Sequence, residues 1–351
     1  MNGRVLQLLS GAGPHDAVTT QALAWRRMMA SWGVRGEVFA DTLDPGLDGA
    51  VRPVARLRRS LGAGDLLIIH YTAYARALDA ALELPQRKLL VYHNVTPPEF
   101  LWNWEPIVAA RCALGRAHLR EYAGRVDAAA TATAFNAADL RTAGFDDVHV
   151  LPALYFFDRE RLGPGAGGVE AAARSTVLFV GRLSPNKRQD ELIKAFALYQ
   201  RHREADSRLL LVGGPVGPTY TEHLEQVTHV TGARNVVIGG RPQPALNDAY
   251  RAASVFVCLS VHEGFCLPLL EALHFGVPVI ARRAGAIPEV LGGAGILIDD
   301  EDLPTIAELI DVCVRDEELR EELRRRGRRR LENFEPSDTE QDWRGLVERL
   351  L

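Results

Sequence analysis

Apolar and polar positions alternate along the chain in two similar series. In the first half, apolar runs at Arg4 to Leu9, Gly36 to Ala40, Leu66 to Tyr71, Lys88 to His93, Ala128 to Ala134 and Val148 to Leu151 are separated by stretches with helical spacing. In the second half the runs are Thr176 to Val180, Leu209 to Val212, Val236 to Ile238, Val255 to Leu259, Pro278 to Ala281 and Ile296 to Ile298. Apolar runs alternating with helical patterns predict parallel strands buried on both faces, hence an α/β fold of two Rossmann-like domains facing across a cleft. The sharpest break in composition is Leu162-Gly163-Pro164-Gly165-Ala166-Gly167-Gly168, which reads as a linker. It places a first domain at 1–165 and a second at 166–334. The tail, 335–351, carries Trp343, Leu346, Val347 and Leu350 at helical spacing and predicts one further helix.

Composition narrows the function classes. A chain of 351 residues can bury two cores. A net charge of −4 and a pI near 6.2 argue against a dedicated nucleic-acid binder. No apolar run approaches the length of a membrane span, and Met1 to Leu9 reads as a strand rather than a leader. Cys112, Cys258, Cys266 and Cys313 are scattered with no Cys-x-x-Cys pair, so a reducing, cytoplasmic setting without structural zinc is expected. Lysine occurs only at 88, 187 and 194, against a total of 41 basic residues. Lys187 in a loop therefore draws attention, because a compact ammonium does what a guanidinium does not.

The chemistry concentrates after the run 255–259. Val261-His262-Glu263-Gly264-Phe265-Cys266-Leu267-Pro268-Leu269-Leu270-Glu271 reads as a loop at a strand's carboxyl end followed by a helix with proline in its first turn. Such junctions bind ligands in open α/β sheets, and the helix start offers N–H groups to an anion or to hydroxyls. Phe179-Val180-Gly181-Arg182-Leu183-Ser184-Pro185-Asn186-Lys187 lacks Walker A spacing. It does bring a planar fork, Arg182, and a point charge, Lys187, to a helix mouth. That pair either neutralises a diphosphate or forms a solvated basic turn. Gly213 and Gly239-Gly240-Arg241 follow two further strands. Gly11-Ala12-Gly13-Pro14-His15-Asp16 is a glycine-rich turn without the full dinucleotide fingerprint. His93 ends a strand, and Trp102 and Trp104 follow in a loop, as sugar-stacking or core indoles. No His-Glu-x-x-His or Asp-x-Asp stands at the expected places, and Asp299-Asp300-Glu301-Asp302 reads as a helix start. The run Arg324 to Arg330 has two readings, peripheral contact with anionic lipid at the membrane's inner face or a solvated helix paired with upstream glutamates; the second is preferred.

The Glu-x7-Glu pattern of Glu263 and Glu271, with Gly264-Phe265 after the first, resembles the retaining GT-B glycosyltransferases of family 4. These usually read Glu-Gly-Phe-Gly-Leu-Pro; Cys266 stands here at the second glycine, a tolerable change if the backbone N–H makes the contact. The Gly-Arg-x4-Lys element from Gly181 to Lys187 matches too, and the likeness is strongest over 176 to 300. The resemblance implies a metal-independent hexosyl transfer, without cofactor, from a nucleotide-diphosphate sugar to a hydroxyl acceptor, in polysaccharide, glycolipid or secondary-metabolite synthesis. It implies that Arg182, Lys187, Glu263 and His93 act in catalysis. Gly13, Gly181, Gly213, Arg241, Gly264, Phe265, Cys266, Leu267 and Glu271 would hold the donor, and Asp16, Trp102 and Trp104 the acceptor. It also implies that the last helix crosses back to the first domain. Two rivals stand beside this reading: a GT-B epimerase or hydrolase of the nucleotide sugar, and a catalytically silent binding subunit. Nucleotide, sugar, acceptor and oligomeric state are not legible.

Overall fold

The computed structural model describes residues 3–14, 16–47, 49–152, 162–165, 175–300 and 302–351. Two compact units emerge. The first comprises Met1–Glu99, Ile107–Asp158 and Phe334–Leu351, and the second Phe100–Pro106 and Arg159–Asn333.

Among its described residues the first unit holds seven strands: β1 (Val5–Ala12), β2 (Gly36–Leu43), β3 (Arg52–Pro53), β4 (Leu66–Tyr71), β5 (Arg87–Tyr92), β6 (Ala128–Thr131) and β7 (Val148–Val150). They form one parallel sheet in the order β3-β2-β1-β4-β5-β6-β7. The order reverses between β1 and β4, so loops leaving these strands open a crevice at their carboxyl ends. β4 is buried along its whole length, as a strand covered on both faces must be. β3 has no counterpart among the predicted runs. It is two exposed residues on the sheet edge, where a proline removes no central ladder bond. The run predicted over 128–134 stops at Thr131, because Thr133 caps the helix Ala134–Thr142 by accepting from the Asn136 N–H.

The tail forms the helix Pro336–Leu350 and packs within the first unit. Trp343, Leu346 and Val347 join a core with Val5, Trp25, Leu66 and Val91. Trp343 lies 4.1 Å from Trp25 between ring centroids. The neighbouring Trp32 donates its indole N–H to Glu340 Oε1 at 2.5 Å.

The second unit holds β8 (Thr176–Val180), β9 (Arg208–Val212), β10 (Val236–Gly239), β11 (Val255–Cys258), β12 (Val279–Arg282) and β13 (Ile296–Ile298). These are parallel in the order β10-β9-β8-β11-β12-β13, the same doubly wound plan, with its reversal between β8 and β11. Residues 100–106, assigned from sequence to the first domain, group with this unit. The cause is aromatic packing: Trp104 lies 5.1 Å from Tyr220 and 5.0 Å from His223, both on the helix Pro218–Thr231. Of the linker read at 162–168, residues 166–168 lie outside the described residues. Among the described residues, no helix is long and apolar enough to cross a membrane.

Candidate active site

In the second unit the two loops that leave β8 and β11 are neighbours because their strands are. Hydrogen bonds then lock them together. The Val261 N–H donates to the Asn186 carbonyl at 2.9 Å, and the Asn186 amide donates to the His262 carbonyl at 3.2 Å. Ser184 Oγ in turn donates to Asn186 Oδ1 at 2.8 Å, and Asn186 is buried. The clamp's only sequence signal is an amide set between Pro185 and Lys187, which loop asparagines share widely.

The clamp sets Lys187 against Glu263. Lys187 Nζ lies 2.6 Å from Glu263 Oε2, with side-chain exposures of 17% and 11%. The other carboxylate oxygen accepts from Ser260 Oγ at 2.9 Å, and the Glu263 backbone carbonyl accepts from the Ala286 N–H at 2.9 Å. Burial, the largest single influence, disfavours the ammonium, but the Glu263 carboxylate, with smaller contributions from Cys266 and Cys258, outweighs it, so Lys187 is held above its ordinary pKa and stays charged. Gly285 makes this packing feasible: a β-carbon there would sit 2.3 Å from the Glu263 carbonyl oxygen.

Arg182 is exposed, and its carbonyl accepts from Gln189 Nε2 at 2.9 Å. Glu271 lies on the helix Leu267–His274, only 3% exposed, and its Oε2 accepts from the Tyr250 hydroxyl at 2.6 Å. Lys187 and Glu263 are thus in contact, whereas Glu271 is turned to Tyr250. Gly181 and Gly213 directly follow β8 and β9, and a β-carbon on Gly213 would fall 1.9 Å from the Gly181 carbonyl oxygen. Gly264, Phe265 and Leu267 are partly buried around the start of the helix, which no side chain caps. Arg241 follows β10, partly buried.

Cys266 sits in the left-handed region at φ 66°, ψ 65°, where a β-carbon costs about 1–2 kcal/mol. Its sulfur is buried 3.9 Å from Cys258 Sγ, which makes room for a side chain where the family pattern has glycine. Cys258, Cys266 and Glu263 bring three donor atoms within 4.8 Å of one another. The Cys266 thiol, however, is held well above its ordinary pKa by its hydrogen bond with Cys258 and by burial. Glu263 is already engaged by Lys187 and Ser260.

In the first unit His93 follows β5, and Asn94 takes a left-handed turn at φ 72° held by Asn136. His93 Nε2 lies 2.9 Å from His70 Nδ1. Burial pushes His93 down to about 4, with Asp16 pulling the other way, and drives His70 well below its ordinary value, with His93 adding to the effect. Both rings are therefore neutral near pH 7. A depressed folded pKa gives stability that is complete above the unfolded value near 6.5 and is lost as pH falls towards about 4. For His93 the difference amounts to about 3 kcal/mol. Urea unfolding followed by Trp25 and Trp343 fluorescence is expected to show the first unit weakening from pH 7 to pH 4.5, and weakening less in His93→Asn; equal losses in both proteins would remove His93 as the cause.

Asp16 caps the helix Ala17–Ser31, accepting from the Thr19 N–H and Thr19 Oγ1 at 2.8 Å each, while the Gly13 N–H donates to Thr19 Oγ1 at 3.2 Å. Trp102 is 46% exposed, whereas Trp104 is the half-buried partner of Tyr220. Of the acidic cluster at 299–302, Asp302 caps the helix Leu303–Arg315 and Asp299 pairs with Arg283; Glu301 lies outside the described residues. In the arginine run, Arg324, Arg325, Arg326 and Arg328 pair with Glu317, Glu321 and Glu322 on the same helix. Arg330 donates to the Val290 and Glu289 carbonyls.

Residues 169–330 match the family described as glycosyl transferases group 1. The D-inositol 3-phosphate glycosyltransferase of Corynebacterium glutamicum (strain R) is 36% identical over 151 residues, covering 41% of this chain and 36% of that protein. The O-antigen chain mannosyltransferase B of Escherichia coli is 31% identical over 167 residues, 47% of this chain and 43% of that one. The chain thus spans less than half the length of these curated relatives. Among solved structures, sucrose-phosphate synthase from Thermosynechococcus elongatus superposes with a TM-score of 0.77 at 19% identity over 99% of both chains. Anabaena HepE in complex with UDP and glucose gives 0.75 at 16% identity, over 99% of this chain and 100% of that one. At these identities the likeness speaks for the fold, two Rossmann-like domains of the GT-B class.

Proposed function

We propose, from the match of residues 169–330 to the family described as glycosyl transferases group 1, that this protein transfers a hexosyl unit from a nucleotide-diphosphate sugar to a hydroxyl acceptor with retention of configuration. The observation that carries the reading is the Lys187–Glu263 contact at the strand-order reversal of the second unit. A fixed ammonium and a fixed carboxylate, both mostly removed from water, suit a ligand that is anionic at one end and hydroxylated at the other.

Lys187 and Arg182 stabilise the charge that grows on the leaving diphosphate, acting as preorganised electrostatic partners. Glu263, with backbone N–H groups from Gly264 to Leu267, orients the sugar hydroxyls. Glu271 offers acceptor oxygens to the ribose, steadied by Tyr250. His93, in the first unit, is proposed as a further catalytic residue; the acceptor attacks from the face that the diphosphate leaves, and the leaving diphosphate oxygen takes up the acceptor's proton. Asp16, Trp102 and Trp104 are proposed on the acceptor side. The self-paired arginine helix favours a solvated face over lipid contact.

The test is a thermal-shift screen against UDP-, GDP-, ADP- and dTDP-sugars, uridine first because HepE was solved with UDP. A donor at a hundredfold its Kd stabilises by about 2.7 kcal/mol. A folded protein indifferent to every one of them would sink the reading. Donor consumption without any acceptor would replace transfer by epimerisation or hydrolysis.

A further inference from the structure

Cys258 and Cys266 stand at the two ends of the loop that carries Glu263, with their sulfurs 3.9 Å apart. The two positions are not anchored alike. Cys258 ends β11 and is held in register against Ala281 of β12. Cys266 lies beyond the strand, at a φ of 66° that a β-carbon disfavours. An S–S bond of about 2.0 Å would bring the sulfurs roughly 2 Å closer, and the shift would fall on Cys266. Cys266 belongs to the stretch from Gly264 to Leu267 whose N–H groups are proposed to orient the sugar. Cys258 has its own tie to the site: Sγ lies 3.2 Å from Ser260 Oγ, which donates to Glu263 Oε1 at 2.9 Å. Both sulfurs thus bear on the Lys187–Glu263 pair, and neither thiol has a part in the proposed transfer.

We propose that Cys258 and Cys266 are a redox modification site: a peroxide closes them into a reversible disulfide, which pulls the Glu263 loop out of the geometry that holds the donor. The effect on the donor rests on the proposed function, while the disulfide stands on the placement of the sulfurs alone. Burial selects the oxidant, because sulfurs 1% and 8% exposed are closed to a peptide disulfide but within reach of a molecule scarcely larger than water. Cys258 is held below its ordinary pKa, first by the Cys266 hydrogen bond and against the effect of burial, so it is the nucleophile. Its thiolate attacks one peroxide oxygen, the O–O bond breaks, and the departing hydroxide takes up the proton Cys258 released. The Cys266 sulfur then attacks the Cys258 sulfenic acid; the S–S bond forms, the S–O bond breaks, and the leaving hydroxyl carries off the Cys266 proton as a second water. Two thiols are oxidised to one disulfide, and one hydrogen peroxide is reduced to two waters.

Two measurements on the full chain separate the parts. The tryptic peptide 252–282 contains both cysteines. After hydrogen peroxide and without reductant it is expected to lose the mass of two hydrogens, while the thiols counted in denaturant fall from four to two. Oxidised protein is expected to lose its donor-induced thermal shift and about 10- to 100-fold in kcat/KM, the cost of misplacing substrate-positioning groups by about 1 Å. Dithiothreitol is expected to restore both. Cys258→Ser, nearly the same size and able to keep the Ser260 contact, is expected to match reduced wild type and to ignore peroxide. A peptide of unchanged mass with four thiols remaining overturns the pairing, and needs no variant to fold. A disulfide that leaves donor binding and transfer intact overturns the switch, as does a loss that dithiothreitol does not reverse or one that persists in folded Cys258→Ser. If the reduced protein neither binds nor consumes any nucleotide sugar, the proposed function fails and the switch with it, while the peptide mass still decides the disulfide.

Discussion

Lys187→Ala is expected to lower kcat/KM for sugar transfer by about 10²- to 10³-fold, the loss usual when one preorganised charge partner is taken from a developing anion. Its stability should fall too, for a different reason. The Lys187–Glu263 pair is mostly buried, and deleting one member leaves the other charged without compensation, at a cost of about 3–5 kcal/mol unless Glu263 takes up a proton. The double variant Lys187→Ala/Glu263→Gln tells the effects apart: it should regain much of the lost melting temperature and none of the activity. Lys187→Arg should not rescue transfer, because a longer planar fork does not fit where a compact ammonium meets Glu263 at 2.6 Å. Activity within threefold of wild type in Lys187→Ala would remove this residue from the mechanism.

Trp343→Ala should destabilise the first unit by about 3–5 kcal/mol, the usual range for deleting a buried indole. Trp343 is 2% exposed, lies 4.1 Å from Trp25 and joins the core built on β1, β4 and β5. Truncating it removes the main anchor of the helix Pro336–Leu350 and leaves a cavity beside Trp25. Trp102, 46% exposed, is the control: Trp102→Ala should change stability by less than about 0.5 kcal/mol. Urea unfolding of both variants checks the contrast, and equal midpoints would mean that the last helix adds nothing to the core.

Strand positions were legible because buried parallel strands are near-continuous apolar runs, and twelve such runs, six in each half, recur among the observed strands. Among the described residues only β3 escaped, since Arg52 and Pro53 carry no apolar signal and pair at an edge. In the site, Glu263 and Lys187 were legible through residue type and spacing. Asn186, Ser260 and Gly285 were not. Each acts across tens of residues of chain, and nothing local distinguishes an asparagine that clamps a remote loop from one that faces water. Trp104 taught the opposite lesson: an indole in a polar loop reads equally as sugar platform or core, and packing on Tyr220 shows which part of the chain it travels with.

By itself the sequence determined the alternation of strand and helix, the two-domain α/β class and the junctions at which charged side chains gather. Those properties follow from periodicity and from residue chemistry, both local. Tertiary structure alone decided that Lys187 meets Glu263, that Glu271 turns to Tyr250, and that Gln7, His70 and His93 share one hydrogen-bonded chain. Contacts of that kind depend on strand order, and strand order arises from how whole elements pack, which no short window of sequence contains.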